Sequence, residues 1–334
     1  MAETASQTDL SQYVNAPLLD RPIKPLEGNS AFITGATRFP GIGFAIAELF
    51  ASEGASPIIV AGTENSIVEA AAVRERLMRY GILAYTLVGD VGLEESCVEM
   101  MAKGYELCQG NVNILVNNAG ANEDKLFTDV TEEDLEFALR VKAKGAAFMS
   151  REWFRIRDDA SIRGGKIINI SSIVGLHGNF GQEAYAMANG ALNALTKTLA
   201  LDFGRRGITV NAIAPAFVPG TNLAGNITPE QMDLNMTLTP LKDARTRRGV
   251  VLTTRDIAGA AFYLAGPDGD HVTGQILVID GGFGTNHTGG AGLRSERYRK
   301  IPQAALNIVE SLTKEDVEAI QADRKRRAEG VENG

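Results

Sequence analysis

Seven short runs rich in aliphatic and β-branched residues recur between longer segments of helical period. This alternation restricts the fold more than any other feature of the chain. The runs are Ala31–Thr34, Pro57–Ala61, Leu83–Val88, Ile114–Asn117, Lys166–Ser171, Ile208–Ala214 and Gln275–Asp280. Between them, Ile42–Glu53, Glu64–Tyr80, Glu94–Gln109, Glu132–Phe154, Glu183–Gly204 and Arg255–Ala265 repeat their apolar residues at the spacing of a helix face. Strands separated by helices cannot pair as tight hairpins. Each connection must cross over, and right-handed crossovers bury a parallel sheet between two helical layers. The expected class is α/β, a doubly wound parallel sheet in a single domain over residues 28–284.

Two extensions flank that domain. Residues 1–27 are polar, contain Pro17, Pro22 and Pro25, and read as an extended arm. Residues 285–334 open on the hinge glycines Gly289, Gly290 and Gly292 and end in a charged helix. Thr313 with Asp316 forms a capping-box variant there, and Leu312 with Val317 has the spacing of a hydrophobic staple. Val317 and Ile320 leave a narrow apolar stripe.

Composition excludes several functions. A formal charge of −8 argues against a nucleic-acid or anionic-membrane surface. Cys97 and Cys108 lie on one expected helix about 16 Å apart, too far for a disulfide, and read as small apolar residues of a reduced compartment. His177, His271 and His287 have no metal-ligand spacing with them, so no metal site is expected. Met1–Leu10 has neither the basic nor the apolar region of a signal peptide, and no apolar run is long enough to span a bilayer. A cytoplasmic protein is expected.

The first strand runs into Thr34-Gly35-Ala36-Thr37-Arg38-Phe39-Pro40-Gly41-Ile42-Gly43, and a helix follows. Glycines placed there let backbone approach a pyrophosphate, whose charge the helix N–H groups and dipole favour. The context, strand before and helix after, makes this a dinucleotide-binding signal.

From Gly28 to Gly284 the chain resembles the short-chain dehydrogenase/reductase family, a Rossmann-like fold. The stretches that carry the likeness occur in the family's order. They are Thr34–Gly43, Asp90, Asn117-Asn118-Ala119-Gly120, Ser171-Ser172 with Tyr185, Val210-Asn211-Ala212-Ile213-Ala214-Pro215 and Asp280-Gly281-Gly282. The glycine loop departs from the usual pattern. Five residues separate Gly35 from Gly41 where the family has three, a spacing similar to its enoyl-thioester reductase branch. The resemblance implies that Gly35, Thr37, Arg38, Gly41, Ile42, Gly43, Thr63, Asp90, Val91, Asn118, Ala119, Gly120 and Pro215 hold the cofactor.

It also implies a reaction, hydride transfer between NAD(P)H and a carbonyl or secondary alcohol. Ser172 lies thirteen residues before Tyr185, the family's interval, so Ser172 is expected to hold the substrate oxygen and Tyr185 to act as general acid and base. A tyrosine can do this when a nearby ammonium lowers its pKa toward neutrality. The family places a lysine four residues after the tyrosine, and this chain has Asn189. The family places an asparagine on the preceding helix, and this chain has Lys142 in Val141-Lys142-Ala143-Lys144-Gly145. The same exchange marks the ketoreductase domains of modular polyketide and animal fatty-acid synthases, so Lys142 is expected to supply the ammonium and Asn189 the amide. A solvated Lys142 in a degenerate enzyme remains the other reading. A catalytically silent nucleotide-binding scaffold, or non-redox chemistry on the same fold, are the alternatives of function.

Cofactor choice is read at the end of the second strand. An acid there would bind the ribose hydroxyls and repel a 2′-phosphate. Ala61-Gly62-Thr63 has none before Glu64, and Arg38 could face a 2′-phosphate, which favours NADP(H) with NAD(H) as the alternative. Residues 216–253 read as a lid over a small-molecule carbonyl or alcohol, lined by Met232, Met236 and Leu238. The basic run Lys242, Arg245, Arg247 and Arg248 would suit the phosphate of an acyl-thioester carrier, or is simply solvated. His177 is a candidate substrate contact, Trp153 and Phe154 are core candidates, and the family implies a homodimer or homotetramer.

Overall fold

The computed structural model describes residues 24–121, 124–221, Asn235, 238–241 and 252–284. The calls on the N-terminal arm before residue 24, on Met232, Met236, Lys242, Arg245, Arg247, Arg248 and His287, and on the C-terminal helix lie outside them. Contacts group the chain into two compact units, residues 1–225 with 252–279, and residues 226–251 with 280–334.

The first unit contains a seven-stranded sheet. Its strands are β1 (Ala31–Thr34), β2 (Ile58–Gly62), β3 (Ala84–Val88), β4 (Ile114–Asn117), β5 (Gly165–Ile170), β6 (Ile208–Pro215) and β7 (Ile276–Ile279). The order is β3-β2-β1-β4-β5-β6-β7, with every pairing parallel. The order reverses between β1 and β4, the crevice where doubly wound sheets bind ligands.

Helices cover both faces: α1 (Ile42–Ser52), α2 (Ile67–Met78), α3 (Glu94–Leu107), α4 (Glu132–Leu139), α5 (Gly145–Asp159), α6 (Val174–His177), α7 (Glu183–Gly204) and α8 (Thr254–Ala265). Successive residues of a strand point to opposite faces. Ile33, Ile58, Val60, Ile114, Val116, Ile168 and Ile213 therefore pack with Ile46, Phe50, Val73, Leu77, Ile257 and Leu264 on one side. Phe32, Ile59, Leu115, Ile167 and Val210 pack with Met101, Met149, Trp153 and Phe203 on the other. Trp153 is fully buried, and Phe154 stacks on Phe203 at 4.0 Å. Cys97 and Cys108 are buried free thiols, which burial pushes up to about 12 and about 11.

Two elements differ from the sequence reading. The continuous helix expected over Glu132–Phe154 is interrupted by a π-helical turn, Arg140–Lys144, between α4 and α5. Thr131 and Asp134 cap α4 reciprocally, so that helix has its own start signal. The loop after β5 contains the single-turn α6. In the second unit, Asp280 accepts from the N–H groups of Gly282 and Gly284, both at 2.7 Å, and Leu241 N donates to Gly281 O.

Candidate active site

The glycine loop is built against the end of β4. Gly35 has φ 64°, and a Cβ there would lie 2.8 Å from Ala119 Cα. A Cβ on Gly43 would lie 2.5 Å from Asn118 Nδ2. Asn118 Nδ2 donates to Thr34 O and Gly35 O at 3.0 and 2.9 Å, and Thr34 Oγ1 accepts from the N–H groups of Asn118 and Ala119, both at 3.1 Å. Gly41 precedes α1 in extended conformation and offers no side-chain cap, so the first N–H groups of that helix remain available to an anion.

Beside this loop, the end of β2 is closed by hydroxyls. Thr37 Oγ1 and Ser66 Oγ lie 2.7 Å apart, and Ser66 Oγ donates to Thr63 O. Arg38 is half-exposed near the same strand end, with Nη2 3.4 Å from Asn65 O and Nε 3.9 Å from Glu69. Asp90 follows β3. One carboxylate oxygen accepts from Gly92 N at 2.8 Å and the other lies 3.2 Å from Arg140 Nη1.

The candidate catalytic groups collect at the carboxyl ends of β4 and β5. Ser172 is buried, and its Oγ accepts from Val174 N at 3.2 Å. Ile173 N donates to Pro215 O, tying this turn to the end of β6. Tyr185, on the first turn of α7, is part-buried. Asn189 is fully buried one turn later. Its Nδ2 donates to Tyr185 O at 2.8 Å, and its Oδ1 has no hydrogen-bond partner. Burial raises the Tyr185 pKa, while Ser172 and Asn189 act in the opposite direction. The sequence reading expects a lowered value. In this structure the desolvation of the phenol outweighs its hydrogen bonds.

Lys142 and Lys144 differ sharply although two residues apart. Lys142 is 3% exposed, with Nζ 3.5 Å from Ala119 O and against Gly120. Burial lowers its pKa to about 8. Lys144 is exposed and lies 3.7 Å from Glu136. His177, on the last turn of α6, is exposed.

Three residues near these groups escape a motif search. Asn193 accepts from Ser171 Oγ at 2.7 Å and donates to Gly175 O at 3.3 Å, holding both ends of the turn that carries Ser172. Its signal was present, since Asn189, Asn193 and Thr196 recur at helical spacing on the buried stripe of α7. Ser66 and Arg140 had no such signal, because their partners are distant in sequence.

The arrangement suits a dinucleotide. Glycines 35, 43 and 62 leave room that a side chain would fill, beside uncapped helix amides and one arginine. Among the described residues no cluster of three or more His, Cys, Asp or Glu could hold a metal ion, and no helix is long and apolar enough to cross a membrane.

Known proteins share this architecture. A family model described as Enoyl-(Acyl carrier protein) reductase matches residues 35–284. The 3-oxoacyl-[acyl-carrier-protein] reductase FabG of Aquifex aeolicus is 34% identical over 258 residues, covering 77% of this chain and 98% of that protein. The enzyme of the same name from Escherichia coli is 34% identical over 257 residues, with 77% and 98% covered. Among solved structures, a blue fluorescent protein from a metagenomic library in complex with NADPH is similar, at 32% identity and TM-score 0.68 over 78% of this chain and 99% of that one. A short chain dehydrogenase from Burkholderia cenocepacia in complex with NADP is similar at 27% identity and TM-score 0.69, with the same coverage.

Proposed function

The chain belongs to the short-chain dehydrogenase/reductase family and is an oxidoreductase, and from that premise we propose that it reduces a ketone to a secondary alcohol with NADPH. The observation that carries this reading is Tyr185 one helical turn before the fully buried Asn189, whose Nδ2 donates to Tyr185 O, with Ser172 buried just past β5. The names of the relatives support an acyl thioester as the substrate class. The NADP(H) complexes among similar structures support the cofactor, with NAD(H) as the weaker alternative. The proposal extends to a cytoplasmic homodimer or homotetramer, in keeping with the family.

Gly35, Thr37, Gly41, Ile42 and Gly43 would hold the pyrophosphate. Arg38 with Thr63 would face the adenosine ribose, and Asp90 with Val91 the adenine. Asn118, Ala119, Gly120 and Pro215 would line the nicotinamide half. When bound, the nicotinamide supplies the hydride. Ser172 Oγ holds the substrate oxygen. Tyr185 gives that oxygen its proton. The Lys142 ammonium favours the phenolate left behind. Asn189 takes the amide role. Because burial brings the Lys142 pKa to about 8, the ammonium is present below that pH and lost above it.

One observation favours the silent-scaffold reading. The phenol is shifted away from the phenolate rather than toward it. Tyr185→Phe separates the two. It keeps the ring and removes the acid, so kcat should fall about 10²-fold or more with little change in cofactor affinity. A cofactor-binding protein that turns over none of a panel of 3-oxoacyl thioesters and ketones would be the scaffold instead.

A further inference from the structure

The π turn that carries Lys142 is gripped at both ends by one short segment. Gly145 N donates to Arg140 O, the hydrogen bond that closes the turn. At its first residue, Arg140 Nη1 lies 3.2 Å from Asp90 Oδ2, and its side chain crosses Gly92 so closely that a Cβ there would sit 2.7 Å from Nη1. At the far end, a Cβ on Gly145 would be 2.9 Å from Val91 O. Asp90-Val91-Gly92 thus touches Arg140 and Gly145, and both contacts depend on a glycine.

π turns are rare because regular α-helix is the better-bonded alternative. Reverting this one would rotate every residue after the insertion. Burial of the lysine opposes the turn further, since its Nζ reaches Ala119 O at the long distance of 3.5 Å. The Arg140 ring contact with Phe137, at 5.5 Å, and the exposed Lys144–Glu136 pair lie on the outer side of the same helical stretch.

We propose that Arg140 is the positioning residue for Lys142: its ion pair with Asp90, together with the Val91–Gly145 contact, holds the π turn that aims the lysine inward. The catalytic part of this inference rests on the proposed role of Lys142. Asp90 is also a proposed cofactor contact, so the clamp ties the adenine end of the site to the proton-transfer end. A half-exposed ion pair adds little to global stability. Its loss should therefore be read in the lysine, not in the melting temperature.

The test uses Arg140→Gln, Asp90→Asn, their double variant, Arg140→Lys and the reference Lys142→Met. Lysine Cε–Nζ NMR signals of the cofactor-free protein, with Lys142 assigned by its loss in Lys142→Met, report the lysine without turnover. Arg140→Gln should move the Lys142 titration upward by about one unit or more, toward the ordinary lysine value, as the side chain reaches water. It should lower kcat about tenfold with the thermal midpoint nearly unchanged. Arg140→Lys should restore most of both, and the double variant should be less than additive. A wild-type Lys142 titration in both Arg140→Gln and Asp90→Asn would overturn the clamp. If Lys142→Met leaves kcat and its pH profile unchanged, the catalytic reading of Lys142 fails, while the NMR titration still decides the clamp.

Discussion

The face of the sheet under α1, α2 and α8 is filled by aliphatic and aromatic side chains around Ile33, Phe50 and Ile168, whereas the face under α3, α5 and α7 carries a row of buried amides and hydroxyls. Asn117 Nδ2 donates to Ser150 Oγ at 3.1 Å and to Asn169 Oδ1 at 2.9 Å. Asn169 Nδ2 donates to Thr196 Oγ1 at 2.9 Å, and Thr196 donates to Leu192 O. This polar rung crosses from α5 to α7 beneath the strand ends that lead to Asn118–Gly120 and to Ser172. Apolar packing is strong but not directional. Hydrogen bonds between amides fix orientation, and a partly satisfied buried network is costly. Apolar packing therefore coheres both faces, and the second adds a polar rung that orients the strand ends carrying the candidate site residues.

Phe50→Ala should break the comparison most visibly on the stability side. Emptying that fully buried site should lower unfolding free energy by about 3–5 kcal/mol in urea titrations. The pH profile of turnover should not move, and a changed profile would show that the two faces are not separable.

Lys142→Met should act with the opposite sign. The folded pKa of Lys142, about 8, lies below the ordinary lysine value. Burying the ammonium thus destabilises the protein fully below about pH 8, and the penalty is relieved as pH rises toward the ordinary value. The variant should be more stable at pH 7 by roughly 3 kcal/mol, with the advantage fading above pH 8. Its kcat should fall, and the alkaline limb near pH 8 should disappear. Equal stability of both proteins at pH 7 would refute the buried ammonium.

Asn169→Leu tests the rung itself. It leaves Asn117 and Thr196 short of a partner, so stability should drop by about 1–3 kcal/mol. Unlike Phe50→Ala, it should also reduce kcat, and unchanged turnover would assign the rung to cohesion alone. The smallest effect is expected at the rim. Arg38→Ala should weaken NADPH about tenfold and leave NADH nearly unchanged in calorimetric titrations, since only NADPH offers the extra phosphate.

The sheet was legible because strand and helix periods differ and because β1, the glycine loop and α1 follow one another without interruption. The Tyr185–Ser172 interval and the Lys142/Asn189 pair were legible as motifs. The interruption at Arg140–Lys144 was not, because the segment it touches, Asp90–Gly92, lies some fifty residues earlier. Arg157 escaped for a similar reason. A charged residue near a helix end is expected in water, yet it is 1% exposed. Its guanidinium bonds Asn111 Oδ1, Val112 O and Gly164 O, and lies 4.6 Å over the Trp153 ring. The raised Tyr185 pKa comes from burial of the phenol by segments that meet only in the fold, which no spacing in the chain encodes.

The closure of the β2 end constrains any attempt to redesign cofactor preference. Placing an aspartate at Gly62 is the obvious route toward NADH, but a Cβ there would lie 2.1 Å from Thr37 Oγ1 and 2.7 Å from Ser66 Oγ. Those hydroxyls bond each other and cannot both withdraw without leaving donors unpaired. Preference is consequently a property of three positions rather than one. A library that varies residue 62 alone should yield misfolded or inactive clones, while joint variation with Thr37 and Ser66 opens the space in which an acid can stand.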